Sequence, residues 1–269
     1  MFSDQKSSEE LRRSGGFSRR EDSPRPGFRT VNGARQARPY RWLLFDADGT
    51  LFDYDRAESA ALAQVFAKMG VPFDAACLRA YRRINQALWQ KVETGEITPG
   101  AVKLRRFELL LAGLGLEHSP GAFSSTYLEC LATCSELMAE AEETLRVLGG
   151  KFRLAILTNG LKEVQRGRLA RSAIRPYISE IIISEEIGFA KPAGQFFDAA
   201  LARLDRATKA DVLMIGDGWA SDIEGAVRYG IDACWYNPAG KPRPSALPIA
   251  GEIASLRGLI GWLSYGSPR

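Results

Sequence analysis

Trp42-Leu-Leu-Phe45-Asp46-Ala-Asp48-Gly49-Thr50 sets four apolar residues directly ahead of two carboxylates two positions apart. A short continuous apolar run fits a strand buried on both faces, as in a parallel sheet. Ligands of open α/β sheets bind in the crevice beyond the carboxyl ends of such strands, and residues two apart in extended chain share a face. Asp46 and Asp48 therefore fall where a reaction centre belongs, and Gly49 lets the backbone turn sharply behind them. Taken alone, the same stretch also reads as an acidic turn after a hydrophobic strand.

Three later segments repeat the theme of an apolar run followed by polar groups suited to phosphate or metal. Arg153 to Leu157 runs into Thr158-Asn159-Gly160, a hydroxyl and backbone amides at an expected helix start. That combination answers an anionic oxygen, although an ordinary helix cap would look alike. Lys191-Pro192 leads a helix expected over Ala193 to Leu204, with proline in the first turn. Val212 to Gly216 reads as another buried strand, closed by Asp217 and, five residues on, Asp222. Such grouped carboxylates suit a hard cation that takes oxygen ligands.

In this order the four segments resemble the haloacid dehalogenase superfamily, over about Tyr40 to Trp262. The resemblance implies an α/β fold, a doubly wound parallel sheet with a Rossmann-like core and an inserted all-helical cap. It also implies roles. Asp46 is the nucleophile that forms an aspartyl phosphate, and Asp48 protonates the leaving oxygen and then activates water. Mg²⁺ rests on the Asp46 carboxylate, the Asp48 carbonyl and the Asp217 carboxylate, with Asp222 reaching it through water. Thr158 and the Asn159 amide hold phosphate oxygens, and Lys191 places a compact positive charge between phosphate and nucleophile. Phosphoryl transfer needs little beyond these parts. The aspartate at position 48 implies a phosphatase, because the true dehalogenases lack it.

Length and composition agree with a globular enzyme: 269 residues, 45% hydrophobic, make one large domain or a core plus an insertion. No apolar run approaches the roughly 20 residues of a membrane helix, and the start lacks the hydrophobic centre of a secretory signal. A cytoplasmic enzyme is expected, with Cys77, Cys130, Cys134 and Cys234 reduced. Cys130 and Cys134 share a helical face and read as small core residues before a metal pair. His118, the sole histidine, cannot by itself anchor a histidine metal site. Residues 1–38 hold nine Lys and Arg against five Asp and Glu, which is the whole net charge of +4. The remainder is neutral. This Arg-, Ser-, Gly- and Pro-rich stretch reads as a disordered basic tail.

The division expected is a core of 39–54 and 144–269, with 55–143 as the cap. Helices are expected at Asp55–Lys68, Asp74–Val92, Pro99–Leu114 and Pro120–Met138, entered through Asp, Pro or Ser. From Lys151 onward strands alternate with helices, which implies right-handed crossovers; the later strands are Ile181–Ser184, Val212–Ile215 and Ala233–Tyr236. Within the cap, Tyr81-Arg-Arg-Ile-Asn85-Gln-Ala-Leu88-Trp89 and Gly95-Glu-Ile97-Thr98 resemble the pyrimidine 5′-nucleotidase branch. Ile183 to Pro192 and Cys234-Trp235-Tyr-Asn237 add to that likeness, while Gly49 and Gly218 depart from the branch at loop positions without removing a catalytic group. Asn85 could read a base edge and Trp89 could stack on it, but a tryptophan on an amphipathic helix also serves as core.

The activity expected is Mg²⁺-dependent hydrolysis of a small phosphate monoester, foremost a pyrimidine nucleoside monophosphate, modified ones included. Phosphoglycolate, sugar phosphates or acylneuraminate phosphate fit the core motifs equally. A catalytically silent protein that binds nucleic acid through its basic tail is the alternative of another class. No membrane partner is expected, and oligomeric state is left open.

Overall fold

The computed structural model describes residues 40–265, so the expectation of a basic tail at 1–38 lies outside the described residues. The apolar run forms strand β1 (Trp42–Phe45), every residue of which is buried. It is flanked by β2 (Arg153–Thr158) and β4 (Val212–Gly216), and six parallel strands follow the order β3-β2-β1-β4-β5-β6. The chain builds outward from β1 to one side through β3 (Ile178–Ile183), then returns to the other side through β5 (Asp232–Tyr236) and β6 (Gly251–Ile253). The strand order thus reverses beside β1, the place where open sheets of this kind leave a crevice.

Alternation along β1 explains why helices cover both faces. Leu43 and Phe45 enter a core shared with α5 (Ala141–Gly149) and, at the far end of the chain, α10 (Leu256–Tyr265). Trp42 and Leu44 enter the opposite core, filled by Phe196, Phe197 and Ala200 of α8 (Gly194–Arg203) and by Ala226 of α9 (Gly225–Tyr229). Two further elements flank the carboxyl edge: α6 (Lys162–Arg171) after β2, and the short α7 (Ser184–Ile187) after β3.

Between β1 and α5 stand four helices: α1 (Tyr54–Lys68), α2 (Ala75–Glu93), α3 (Pro99–Leu114) and α4 (Pro120–Leu131). Each starts on a side-chain cap, from Asp53, Asp74, Thr98 and Ser119 respectively, which satisfies amides that a helix start leaves open. Their common core is aromatic, with Phe66, Tyr81, Phe107, Phe123 and Tyr127 in mutual ring contact. Cys130 and Cys134 sit in this core unpaired, as small apolar residues do. Leu161 and Val164 of the α6 segment join the same cluster, and Lys103 of α3 bridges to Glu163 and Glu185 at 2.8 Å each, so the helical insert lies on the sheet's carboxyl edge.

The fourth helix ends at Leu131, not at Met138 as expected. Its continuation is spent elsewhere: the Cys134 carbonyl accepts from Arg168, the Glu136 carbonyl accepts from the Asp53 amide, and the Met138 amide donates to Leu51. The outgoing and returning segments thereby pair side by side, with an antiparallel bridge between Phe52 and Leu137. Strand β3 starts three residues before the expected Ile181, because Glu180 and exposed Ser179 mask its apolar pattern, and Ser184 opens α7 instead of closing the strand. The helix expected over Ala193–Leu204 has those two residues as its caps. Among the described residues, no helix is long and apolar enough to cross a membrane.

Leu44 is fully buried against the α8 face. Leu44→Ala should cost about 2–5 kcal/mol, the usual range for such a truncation. A lowered urea midpoint at unchanged slope is the expected record; a loss below about 0.5 kcal/mol, typical of surface sites, would contradict the placement of β1 at the centre.

Candidate active site

Register brings the functional groups together. Phe45 stands opposite Ile156 of β2 and Ile215 of β4, so the residues just beyond these strands emerge along one edge. Asp46 continues the ladder, its amide donating to the Ile215 carbonyl at 2.8 Å, and the residue is 9% exposed. Asp217, next after β4, is bonded twice to Thr50: the hydroxyl donates to its carboxylate at 2.9 Å and accepts from its amide at 3.1 Å. The Trp235 indole donates to the Asp217 carbonyl at 3.0 Å. Gly49 has φ +86°, and a Cβ there would come within 2.7 Å of the Asp217 carboxylate, so only glycine lets the two loops meet.

A single turn of π-helix, Trp219–Glu224, carries Asp222 back toward the sheet, a distortion frequent at functional sites. Its carboxylate accepts from the Gly218 amide at 3.0 Å and crowds Gly216, where a Cβ would lie 2.4 Å from it. The carboxylates of Asp46, Asp217 and Asp222 each offer an oxygen within 4.8 Å of the others.

Lys191 answers this charge from a position 1% exposed. Its ammonium donates to Asp46 at 2.6 Å and to the Leu157 carbonyl at 2.6 Å, and pairs with Asp222 at 2.7 Å, using all three donors. Burial works against its charge, but Asp222 and Asp46 outweigh it and hold the ammonium protonated, above the ordinary lysine range. Burial pushes the Asp46 carboxyl well up, with Asp222 and Asp217 adding to it against Lys191. Burial, and next the Asp222 charge, raise Asp217 to about 6. Three carboxylates against one ammonium leave negative charge uncompensated in a poorly solvated place, the condition that a divalent cation relieves.

The remaining expected residues fall into two groups. Thr158, at the end of β2, is buried and its hydroxyl accepts from the Gly160 amide at 3.0 Å. Asp48 is half-buried; Arg168 pairs with one carboxylate oxygen and Gln165 donates to the other at 2.5 Å. The Asn159 side chain is turned to the backbone of Lys191, donating to its carbonyl and accepting from its amide at 2.8 Å each, so that anion binding here is left to the main chain. A cavity of about 250 Å³ lies between sheet edge and insert, lined by Asp46, Asp48, Thr158, Asn159, Lys191, Asp217 and Asp222. Trp89 of α2 lines it too. Asn85 does not: it is buried one turn away, donating to the Tyr54 hydroxyl at 3.2 Å and to Glu58 at 3.5 Å, which corrects its expected place at a base edge.

Gln165 and Arg168 escaped the sequence reading. Their signal was present, since both share a helical face with buried Val164 and Leu169 and so point inward with polar ends. Tyr54, Glu93 and Arg106 of the insert also line the cavity without having been singled out.

A doubly wound sheet with a buried carboxylate just beyond its central strand, a buried lysine and paired acidic loops at one edge points to a class of hydrolases. Residues 40–230 match the model of the haloacid dehalogenase-like hydrolases, and the chain belongs to that family. It is 35% identical to the HAD-hydrolase YfnB of Bacillus subtilis, over 82% of this chain and 94% of YfnB. It is 33% identical to the pyrimidine 5′-nucleotidase YjjG of Escherichia coli (81% and 95%) and 34% identical to the pyrimidine 5′-nucleotidase PynA of Streptococcus pneumoniae (83% and 95%). The crystal structure of magnesium-bound YfnB superposes with a TM-score of 0.78 at 34% identity, covering 83% of this chain and 98% of that one.

Removing the central cation should expose the charge imbalance. Lys191→Met leaves Asp46 and Asp222 buried without their partner and should cost about 3–5 kcal/mol near neutral pH. Carboxyls with raised pKa values favour the native state as they take up protons, so the deficit should shrink as pH falls toward about 5. A deficit that stays constant in urea melts between about pH 7.5 and 5 would contradict this electrostatic balance.

Proposed function

We propose that the chain is a Mg²⁺-dependent phosphomonoesterase working through an aspartyl phosphate at Asp46. The observation that carries this reading is the convergence of Asp46, Lys191, Asp217 and Asp222 in one buried cluster beneath a cavity sized for a small ester. The donor set is all oxygen and strongly anionic, which fits Mg²⁺. Asp46, Asp217 and the Asp48 carbonyl would hold the ion, with Asp222 behind, and it would supply charge screening between anionic nucleophile and anionic ester.

The chain's own groups supply the rest. Asp46 attacks phosphorus and its carboxylate becomes the acyl phosphate, splitting one hard displacement into two easier ones. Lys191 fixes the attacking oxygen and neutralises charge beside it. Asp48, aimed by Arg168 and Gln165, gives a proton to the leaving oxygen and later takes one from water. Thr158 and the Asn159 main chain face phosphate oxygens. The four-helix insert acts as the cap, shielding the cavity from water and meeting the leaving group.

Pyrimidine nucleoside monophosphates are the substrates this reading favours, supported by the likeness to YjjG and PynA and by Trp89 on the cavity wall. Phosphoglycolate and sugar phosphates are the competing esters. Phosphate release from UMP, CMP, dTMP, purine nucleotides, phosphoglycolate and ribose 5-phosphate separates them: preference for the pyrimidine nucleotides is expected, and activity confined to acid or sugar phosphates would overturn the substrate while keeping the mechanism.

Asp46→Asn should lower turnover by roughly 10⁴-fold or more with the fold intact, as loss of a nucleophile does. Asp48→Asn should cost about 10²–10⁴-fold for alkyl esters and less for aryl esters, whose oxygen leaves without much protonation; equal losses would count against its role. Because the Asp217 carboxyl sits at about 6, protons compete with the cation below that pH. Mg²⁺ should therefore bind metal-free protein at least about fourfold more weakly at about pH 5.5 than at about pH 7.5, the part due to Asp217 alone. A titration followed by thermal shift checks this, and affinity independent of pH would contradict Asp217 as a ligand.

A further inference from the structure

Arg106 of α3 carries a full charge in a position 1% exposed, and its Nε and one terminal nitrogen, Nη2, have no hydrogen-bond partner. Among the described residues it enters no ion pair. The neighbouring carboxylate, Glu58, is committed to Arg82 at 2.7 Å and accepts from Asn85. Instead, aromatic rings surround the guanidinium: Tyr127 at 4.5 Å, Phe107 at 5.4 Å and Tyr81 at 6.0 Å from its carbon. Ring faces offset part of the desolvation of a cation, but they accept none of its in-plane N–H groups. A buried guanidinium with unused donors is costly unless something else takes them. Arg106 lines the same cavity as Asp46 and Thr158, which places a bound molecule beside it.

What that molecule offers follows from the two ends of the cavity. Its floor is built for a phosphate group. Its walls on the insert side include Trp89, Tyr54, Glu93 and Arg106, so that a flat apolar ring and a planar fork of donors line the same cavity. An acid or sugar phosphate has nothing to lay against the indole. A planar base has a face for Trp89 and an in-plane acceptor for Arg106. We propose that Arg106 is the residue that selects pyrimidine leaving groups, donating from its guanidinium to the 2-keto oxygen that uracil, thymine and cytosine share. Purines lack that oxygen, so the same contact discriminates between the base classes. This assignment rests on the nucleotidase reading of the site.

The test uses the full chain with Mg²⁺ and compares kcat/KM for UMP, CMP and ribose 5-phosphate, which keeps sugar and phosphate but has no base. In Arg106→Met the loss for UMP and CMP should exceed the loss for ribose 5-phosphate by about tenfold or more, mainly through KM. Arg106→Lys, with charge but without the fork, should fall between. Equal losses for all three esters would show a packing role and overturn the assignment. A larger loss for phosphoglycolate than for UMP would make Arg106 an anion site and overturn it as well. Should Arg106→Met fail to fold, native enzyme with 2-thio-UMP decides: a drop of about tenfold against UMP supports the contact, and equal turnover removes it. A wild type that does not prefer UMP to ribose 5-phosphate overturns the nucleotidase reading itself; one that does, with the preference kept in Arg106→Met, overturns the Arg106 assignment alone.

Discussion

Three acceptors converge on the Lys191 ammonium, and they come from three different parts of the chain: Asp46 after β1, Leu157 within β2 and Asp222 beyond β4. Asn159 clamps the lysine's own backbone at both polar atoms, adding the loop after β2. One cation thereby fixes the relative placement of four segments distant in sequence. The parallel register makes this possible, because it ends β1, β2 and β4 along one edge and delivers each next residue into the same crevice.

The same cluster is deliberately short of positive charge. Asp46, Asp217 and Asp222 bring three carboxylates to a buried place where Lys191 pairs with Asp46 and Asp222, and Thr50 and Gly218 contribute only neutral hydrogen bonds. Burial raises Asp46 and Asp217, and the neighbouring carboxylate charges add to it while Lys191 opposes it. That deficit suits a site completed by a divalent ion and then able to receive an anionic ester. On the far wall stands a buried cation, Arg106, that among the described residues enters no ion pair and leaves Nε and Nη2 without hydrogen-bond partners. The cavity is thus polar in two senses, and a phosphate ester with an acceptor-bearing leaving group complements both.

Much of this was legible in the sequence. Buried parallel strands leave continuous apolar runs, so β1, β2 and β4 were visible, and the acids and lysine that follow them could be placed at the strand ends. The first three insert helices were readable from their Asp and Pro starts. What failed were features decided by tertiary partners. The end of α4 depends on carbonyls claimed by Arg168 and Asp53, which no local pattern announces. Asn85 was a candidate base reader because its segment resembles the cap of the pyrimidine 5′-nucleotidase branch, yet it points to Tyr54 and Glu58 inside the insert. Arg106 and Arg168 resemble ordinary helix-surface arginines until their burial is known. Residues 1–38, whose composition accounts for the net charge, lie outside the described residues.

In the proposed mechanism Asp46 carries the phosphoryl group during turnover. Rapid acid quench of the enzyme turning over UMP with Mg²⁺, followed by peptide mass spectrometry, tests it directly. One phosphoryl group is expected on the peptide that holds Asp46, labile to alkali and absent from Asp46→Asn. Steady hydrolysis with no phosphoryl group on that peptide, or with one on another residue, would contradict it.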